Sequence, residues 1–213
     1  MEHLYPIYLN VAGKNCLIIG GGPVAERKAA SLLEYGACIK VVSPSAEKMI
    51  TDWADQNLLK WFAREFEAND LDDIFMVFIA TDDNRLNKEI ADLCRGKGIM
   101  VNAVDDPPNC DFFVPSVLRR DSLAIAISTE GRSPLFAARL RRRLEKIITE
   151  EYGQFVNILG QIREELQKSN LDINQRRQIL EQIVDSDLLD LLLDGRHEEA
   201  EERINQCMSS WRG

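Results

Sequence analysis

The chain has 213 residues, 45% of them hydrophobic, and a formal net charge of −9. That composition suffices for one substantial core and allows one or two domains. An acidic whole excludes general affinity for nucleic acid, and no apolar run approaches the ~20 residues that span a bilayer. Five widely spaced cysteines without a CxxC, an acidic N-terminus without a signal-like core and only two histidines, His3 and His197, point to a reducing cytoplasm. They argue against a disulfide framework, a zinc site and a His-based triad.

In chain order, "CLII" (16–19) reads as a short buried strand, followed by Gly20, Gly21 and Gly22. "PVAERKAASLLEYG" then has helical spacing through Ala25, Ala29 and Leu32, with Pro23 in the first turn and Gly36 as a C-terminal stop. "CIKVVS" is the next strand, "PSAEKMITDWADQN" a helix and "LKWFA" a third strand. "IFMVFIAT" (74–81) is a buried strand, "DNRLNKEIADLCRGKG" an amphipathic helix and "IMVNAV" a fifth strand. Short apolar strands alternating with helices predict a parallel sheet covered on both faces.

After residue 106 the pattern changes. "DPPNCDFFVPS" is a proline-broken loop, and "SLAIAIST" alternates like a further strand. Ser133 and Pro134 open a helix, and from there the chain reads helical, with a split at Gly195. The predicted fold is α/β: a Rossmann-like domain over 1–113, a small α/β dimerisation region over 114–150 and a helical region over 151–213. The later regions hold too few elements to bury their own apolar faces. "DLLDLLL" in particular asks for a partner, so a homodimer is expected. Charge is segregated: net −7 over 1–114, +5 over 115–146 and −7 over 147–213.

Gly20, Gly21, Gly22, Pro23, Val24 and Ala25 fit G-x-G-x-x-A between the first strand and the first helix. Gly20 permits the tight turn, Gly22 lets a pyrophosphate approach the backbone, and Ala25 lets the helix pack closely on the sheet. The helix N-terminus offers free N–H groups to phosphate. The acidic residue usual at the end of the second strand is missing. Ser43 and Pro44 stand there, and no arginine lies near to meet a 2′-phosphate, which favours NAD over NADP. Thr81 and Asp82 end the fourth strand, where they either line the cofactor or cap the next helix.

"IIGGGPVAERKAASLLEYGA", "IATDDNRLN", "VNAVDDPPNCDFFVPS" and "STEGRSPLFAARLRRRLE" resemble, in order and spacing, the precorrin-2 dehydrogenase family, the dehydrogenase and ferrochelatase module of siroheme synthases. The resemblance covers residues 1 to about 150 well and the helical tail loosely. It implies NAD-dependent oxidation of precorrin-2 to sirohydrochlorin, with insertion of Fe²⁺ in some members. It also implies an essential aspartate at Asp105, with Asn102 as the matching asparagine. The strand order agrees, because Asp105 follows the fifth strand at the carboxyl edge of the sheet, and a carboxylate there can take a proton. Asp106 is the adjacent alternative. Precorrin-2 carries many carboxylates, for which Arg119, Arg120, Arg132 and the helix start at Ser133 are the candidate contacts; the roles of Ser128 and Thr129 stay open. Cys110 is a bystander thiol or a soft metal ligand, and no residue is assigned as a resident metal site. A non-enzymatic NAD-sensing module is the competing class. It requires no carboxylate at the end of the fifth strand. A short-chain dehydrogenase is disfavoured because no YxxxK occurs.

Overall fold

The structure is a computed structural model and describes residues 3–209. It divides into two compact units, 1–114 and 115–213.

In the first unit, strands β1 (Asn15–Ile19), β2 (Cys38–Val42), β3 (Lys60–Phe62), β4 (Met76–Ile79) and β5 (Met100–Ala103) form one parallel sheet in the order β3-β2-β1-β4-β5. Helices α1 (Pro23–Glu34), α2 (Lys48–Asp55) and α3 (Asn84–Lys97) make the crossovers. The side-chain alternation of a strand sorts β1 onto two cores. Cys16 and Ile18 pack with Ala25, Ala29 and Ile50 on the α1–α2 face, whereas Leu17 and Ile19 pack with Ile90, Ala91 and Cys94 on the α3 face. The register runs Ile19↔Val42 on one side of β1 and Ile19↔Ile79 on the other. The order in which strands are added reverses between β1 and β4, which opens a crevice at their carboxyl ends where open α/β sheets take ligands.

Behind β5 the chain makes a short 3₁₀ turn at Pro107–Asn109 and comes back along the sheet edge. Asp111 donates its N–H to the Val101 carbonyl at 2.8 Å and accepts from Val101 N–H through its carboxylate at 3.0 Å. This covers part of an edge that would otherwise offer unpaired backbone groups.

The second unit opens with an antiparallel hairpin, β6 (Ser116–Arg120) and β7 (Leu123–Ile127), turned through Asp121 and Ser122. Asp121 has φ +50°, as a two-residue hairpin turn requires. β6 had no counterpart in the sequence reading. "SVLRR" carries two arginines and follows a proline loop, so only its pairing with β7 defines it. Helices α4 (Pro134–Leu144), α5 (Glu150–Gln167), α6 (Ile173–Val184), α7 (Leu188–Leu193) and α8 (His197–Ser209) follow.

The helical tail has a core of its own, although Ile173, Val184 and Leu193 remain exposed on it. Leu188, Leu191 and Leu192 of α7 pack with Ile162, Leu166, Ile179, Ile183 and Ala200 in one core. In "DLLDLLL", Leu188, Leu191 and Leu192 are buried within the chain, with α5 and α8 packed on α7, whereas Leu193 stays exposed. Among the described residues, no helix is long and apolar enough to cross a membrane.

Candidate functional site

A cleft of about 700 Å³ opens at the carboxyl ends of β1, β2 and β4. Gly20, Gly21, Gly22, Pro23, Val24, Ser43, Pro44, Thr81 and Asp82 all line it. The three glycines are there for three different reasons. Gly20 has φ +111°, and a Cβ on it would stand 2.1 Å from the Ala80 carbonyl oxygen. A Cβ on Gly21 would stand 2.0 Å from the Ser45 carbonyl oxygen. A Cβ on Gly22 would meet nothing within 4 Å. The first two glycines let protein backbones approach one another, whereas the third leaves its backbone bare toward open space. Gly22 is also the N-cap of α1 and contributes no side-chain cap, so the first N–H groups of the helix face the cleft uncovered. These are the features a dinucleotide pyrophosphate needs, and the residues fit one.

Sequence reasoning missed the far wall: Glu47, Lys48, Glu65, Phe66 and Leu86. The loops after β2 and β3 end at the same carboxyl edge as the glycine turn, and that rule alone could have found them. Lys48 is the one lysine or arginine among the residues lining the cleft, and Asp52 holds its ammonium at 2.6 Å. Thr81 donates its hydroxyl to Asn87 Oδ1 at 2.5 Å, and Asn87 returns its amide to the Thr81 carbonyl at 3.1 Å. Neither Thr81 nor Asp82 caps α3. Asp83 does, accepting from Arg85 N–H at 2.9 Å and Leu86 N–H at 3.1 Å.

Asp105 follows β5, the strand paired with β4, and sits in a turn closed by Asp106 N–H on the Ala103 carbonyl at 3.3 Å. Its φ is +60°, a left-handed conformation that favours glycine or asparagine. Its side chain is exposed, and no hydrogen bond or ion pair holds it among the described residues. Asp106 differs, since its carboxylate accepts from Asn109 Nδ2 at 2.7 Å. The geometry thus separates the two aspartates: one braces the turn and the other is presented by it.

Asn102 does not line the cleft. It is buried, and its amide donates to the Phe112 carbonyl at 2.9 Å and to Cys110 Sγ at 3.5 Å, because its strand position points it under the returning loop. Cys110 donates its thiol to the Ala103 carbonyl at 3.0 Å and to the Asp106 carbonyl at 3.4 Å, bracketing the Asp105 turn from below. Burial pushes that thiol's pKa up, so it stays protonated as a donor.

In the second unit, Arg120 is engaged by the protein itself. Its guanidinium donates to the Ile148 carbonyl at 2.9 Å, the Glu145 carbonyl at 3.1 Å and the Arg119 carbonyl at 3.2 Å, and it pairs with Glu150 at 3.3 Å. It ties the link between α4 and α5 to the hairpin, which removes it from the candidate substrate contacts. Ser133 is the N-cap of α4 and accepts from Phe136 N–H at 3.3 Å. Ser128 and Thr129 hold the preceding turn, accepting from Glu130 N–H at 3.0 Å and Ser133 N–H at 2.9 Å. Arg119 and Arg132 are exposed.

Comparison with known proteins follows the same division. An NAD(P)-binding family model matches residues 7–116, the sirohaem biosynthesis protein central region matches 120–147, and the sirohaem synthase dimerisation region matches 151–208. The model described as a dimerisation region thus falls on the helical tail and not on 114–150. The chain is 35% identical over 98% of its length to a siroheme synthase of Nitrosococcus oceani, and 37% identical over 94% to one of Methylococcus capsulatus. It spans 44% and 42% of those proteins, less than half of each. The solved structure of SirC, a precorrin-2 dehydrogenase, superposes with a TM-score of 0.77 at 27% identity, covering 95% of this chain and all of that one. With its two units matched in order by one NAD(P)-binding and two sirohaem synthase models, the chain belongs to the siroheme synthase and precorrin-2 dehydrogenase family.

Proposed function

We propose that this protein is an NAD-dependent dehydrogenase that oxidises precorrin-2 to sirohydrochlorin for siroheme synthesis, acting as a homodimer. The observation that carries the proposal is the glycine corner. Two glycines there are demanded by packing, while the third keeps its backbone open to a ligand beside an uncapped helix. The match to SirC along its whole length supports the same chemistry, as does the dimerisation-region match for the assembly.

NAD⁺, when bound, supplies the hydride acceptor. The chain's own residues do the rest. Gly22 and the first turn of α1 receive the pyrophosphate, and Ser43 stands at the end of β2 for the adenosine ribose. No arginine lines the cleft, its lysine is held by Asp52, and Glu47, Glu65, Asp82 and Asp83 make the lining acidic. A 2′-phosphate would be repelled there, which favours NAD over NADP. Asp105 takes the proton that leaves with the hydride. Its carboxylate is unengaged and aimed outward from the turn, so it can reach a bound macrocycle without breaking a protein contact.

The test is anaerobic turnover of precorrin-2 with NAD⁺, followed through the sirohydrochlorin absorption. Addition of Fe²⁺ to the product then reads chelation as a separate activity. Absence of a NAD⁺-dependent spectral change would refute the dehydrogenase reading.

A further inference from the structure

Lys28 lies on α1, about 7.5 Å further along the helix axis than Pro23 at 1.5 Å per residue. Its side chain is half-buried. The ammonium stands 5.1 Å from the centre of the Phe78 ring, and Phe112 meets that ring edge-on at 5.4 Å. Among the described residues, it has no hydrogen bond or ion pair. Burial pulls its pKa down, and Arg27 pulls the same way by like charge. Phe78 is in register with Asn102 of β5, whose amide donates to Cys110 Sγ, so two paired residues link the Lys28 ring contact to the thiol that supports the Asp105 turn.

A lysine in such a place calls for an explanation. Ordinary lysines keep the ammonium in water or pair it. This one gives up part of its hydration for one aromatic face and leaves its three donors unused. An anion arriving at the carboxyl edge of β4 and β5 would complete it. The proposed substrate is a polycarboxylate, and its ring must lie beside Asp105 for the proton to transfer.

We propose that Lys28 is a positioning residue that binds a carboxylate of the tetrapyrrole and so pins the edge of the macrocycle over the Asp105 turn. This rests on the dehydrogenase reading for the identity of the ligand. A pyrrole side-chain carboxylate would accept one or two N–H bonds from the ammonium, with Phe78 fixing the lysine stem. The contact is made alike in the ground state and the transition state, so it governs affinity rather than the chemical step.

The experiment compares wild type, Lys28→Met and Lys28→Arg. Methionine keeps an unbranched stem against Phe78 and removes the charge. Two readouts are taken: steady-state oxidation of precorrin-2 with NAD⁺, and equilibrium binding of sirohydrochlorin, which needs no turnover. The expected result for Lys28→Met is a KM for precorrin-2 and a Kd for sirohydrochlorin raised about tenfold, as loss of one charge-assisted contact implies. kcat, the KM for NAD⁺ and the melting temperature stay near wild type, and Lys28→Arg recovers most of the affinity. Unchanged KM and Kd in Lys28→Met, with wild type active, would overturn the anchor and leave the dehydrogenase standing. A wild type that binds sirohydrochlorin through Lys28 but oxidises nothing would keep the anchor and remove the dehydrogenase.

Discussion

Asp105 holds a left-handed backbone conformation that asparagine tolerates and most residues pay for at about 1 kcal/mol or more. Asp105→Asn therefore separates fold from chemistry. We expect it to melt with wild type while kcat falls at least about 100-fold, as loss of a proton acceptor implies. Asp106→Ala should do the reverse, losing the Asn109 brace and lowering the melting temperature while kcat stays within a few-fold. Calorimetry and anaerobic turnover check both. The glycines allow a matching pair. Gly22→Ala adds a methyl group where the protein has open space and φ is −79°, so it should fold normally and raise the Kd for NAD⁺ at least about tenfold. Gly21→Ala drives a Cβ against the Ser45 carbonyl and should lower the melting temperature itself. The sequence announced a dinucleotide corner but could not rank these glycines. Their difference lies in atoms contributed by residues 45 and 80.

At the scale of elements, the five parallel strands and their three helices were legible because period and punctuation agree there. Pro23 starts α1, Gly36 at φ +71° follows it, and Gly98 at φ +68° ends α3. What failed was the junction between α4 and α5. A continuous helical pattern runs through "LEKIITEEY", yet the chain breaks at residues 145–149, where Arg120 donates to the freed Ile148 and Glu145 carbonyls. α5 then packs on the hairpin through Gly153, whose Cβ would stand 2.6 Å from the Arg120 carbonyl oxygen. Asn157, one turn on, donates to Asp121 and accepts from the Ser122 hydroxyl at 2.7 Å. Gly153→Ala should destabilise the protein by about 1–3 kcal/mol through overpacking against backbone, read as a shift in the denaturation midpoint. Nothing local to "EEYGQF" signals this, since a helical glycine reads as a weak position until its neighbour is known.

At the scale of the molecule, each unit carries its own core, and each core has a distinct vulnerability. Burial pushes the Cys16 and Cys94 thiols from an ordinary 9.0 up to about 11, with Cys38 and Asp111 respectively adding to the effect. A raised pKa means that the folded state holds the proton more tightly than the unfolded chain. The stabilisation is complete below pH 9 and is lost as pH rises through 11. In that window the stability should fall by up to about 1.4 kcal/mol per pH unit for each thiol. Urea denaturation between pH 8 and 11 measures the slope, which a Cys16→Ala, Cys94→Ala variant should flatten. In the helical unit, Leu188 is fully buried and Leu188→Ala should cost about 2–5 kcal/mol. A loss well under 1 kcal/mol would mean that α7 is not packed as described.

The sequence by itself determined the parallel sheet, the dinucleotide corner and the place of an aspartate pair beyond β5, because strand alternation, glycine placement and chain order are local properties. Tertiary structure alone decided which charges remain available. Arg120 and Asn102 looked like ligand contacts and became braces, whereas Lys28 looked like one more helix lysine and became an ammonium with no hydrogen bond or ion pair among the described residues. A side chain's hydrogen-bonding capacity is filled by whatever the fold brings within 3 Å, and residues far apart in the chain supply it.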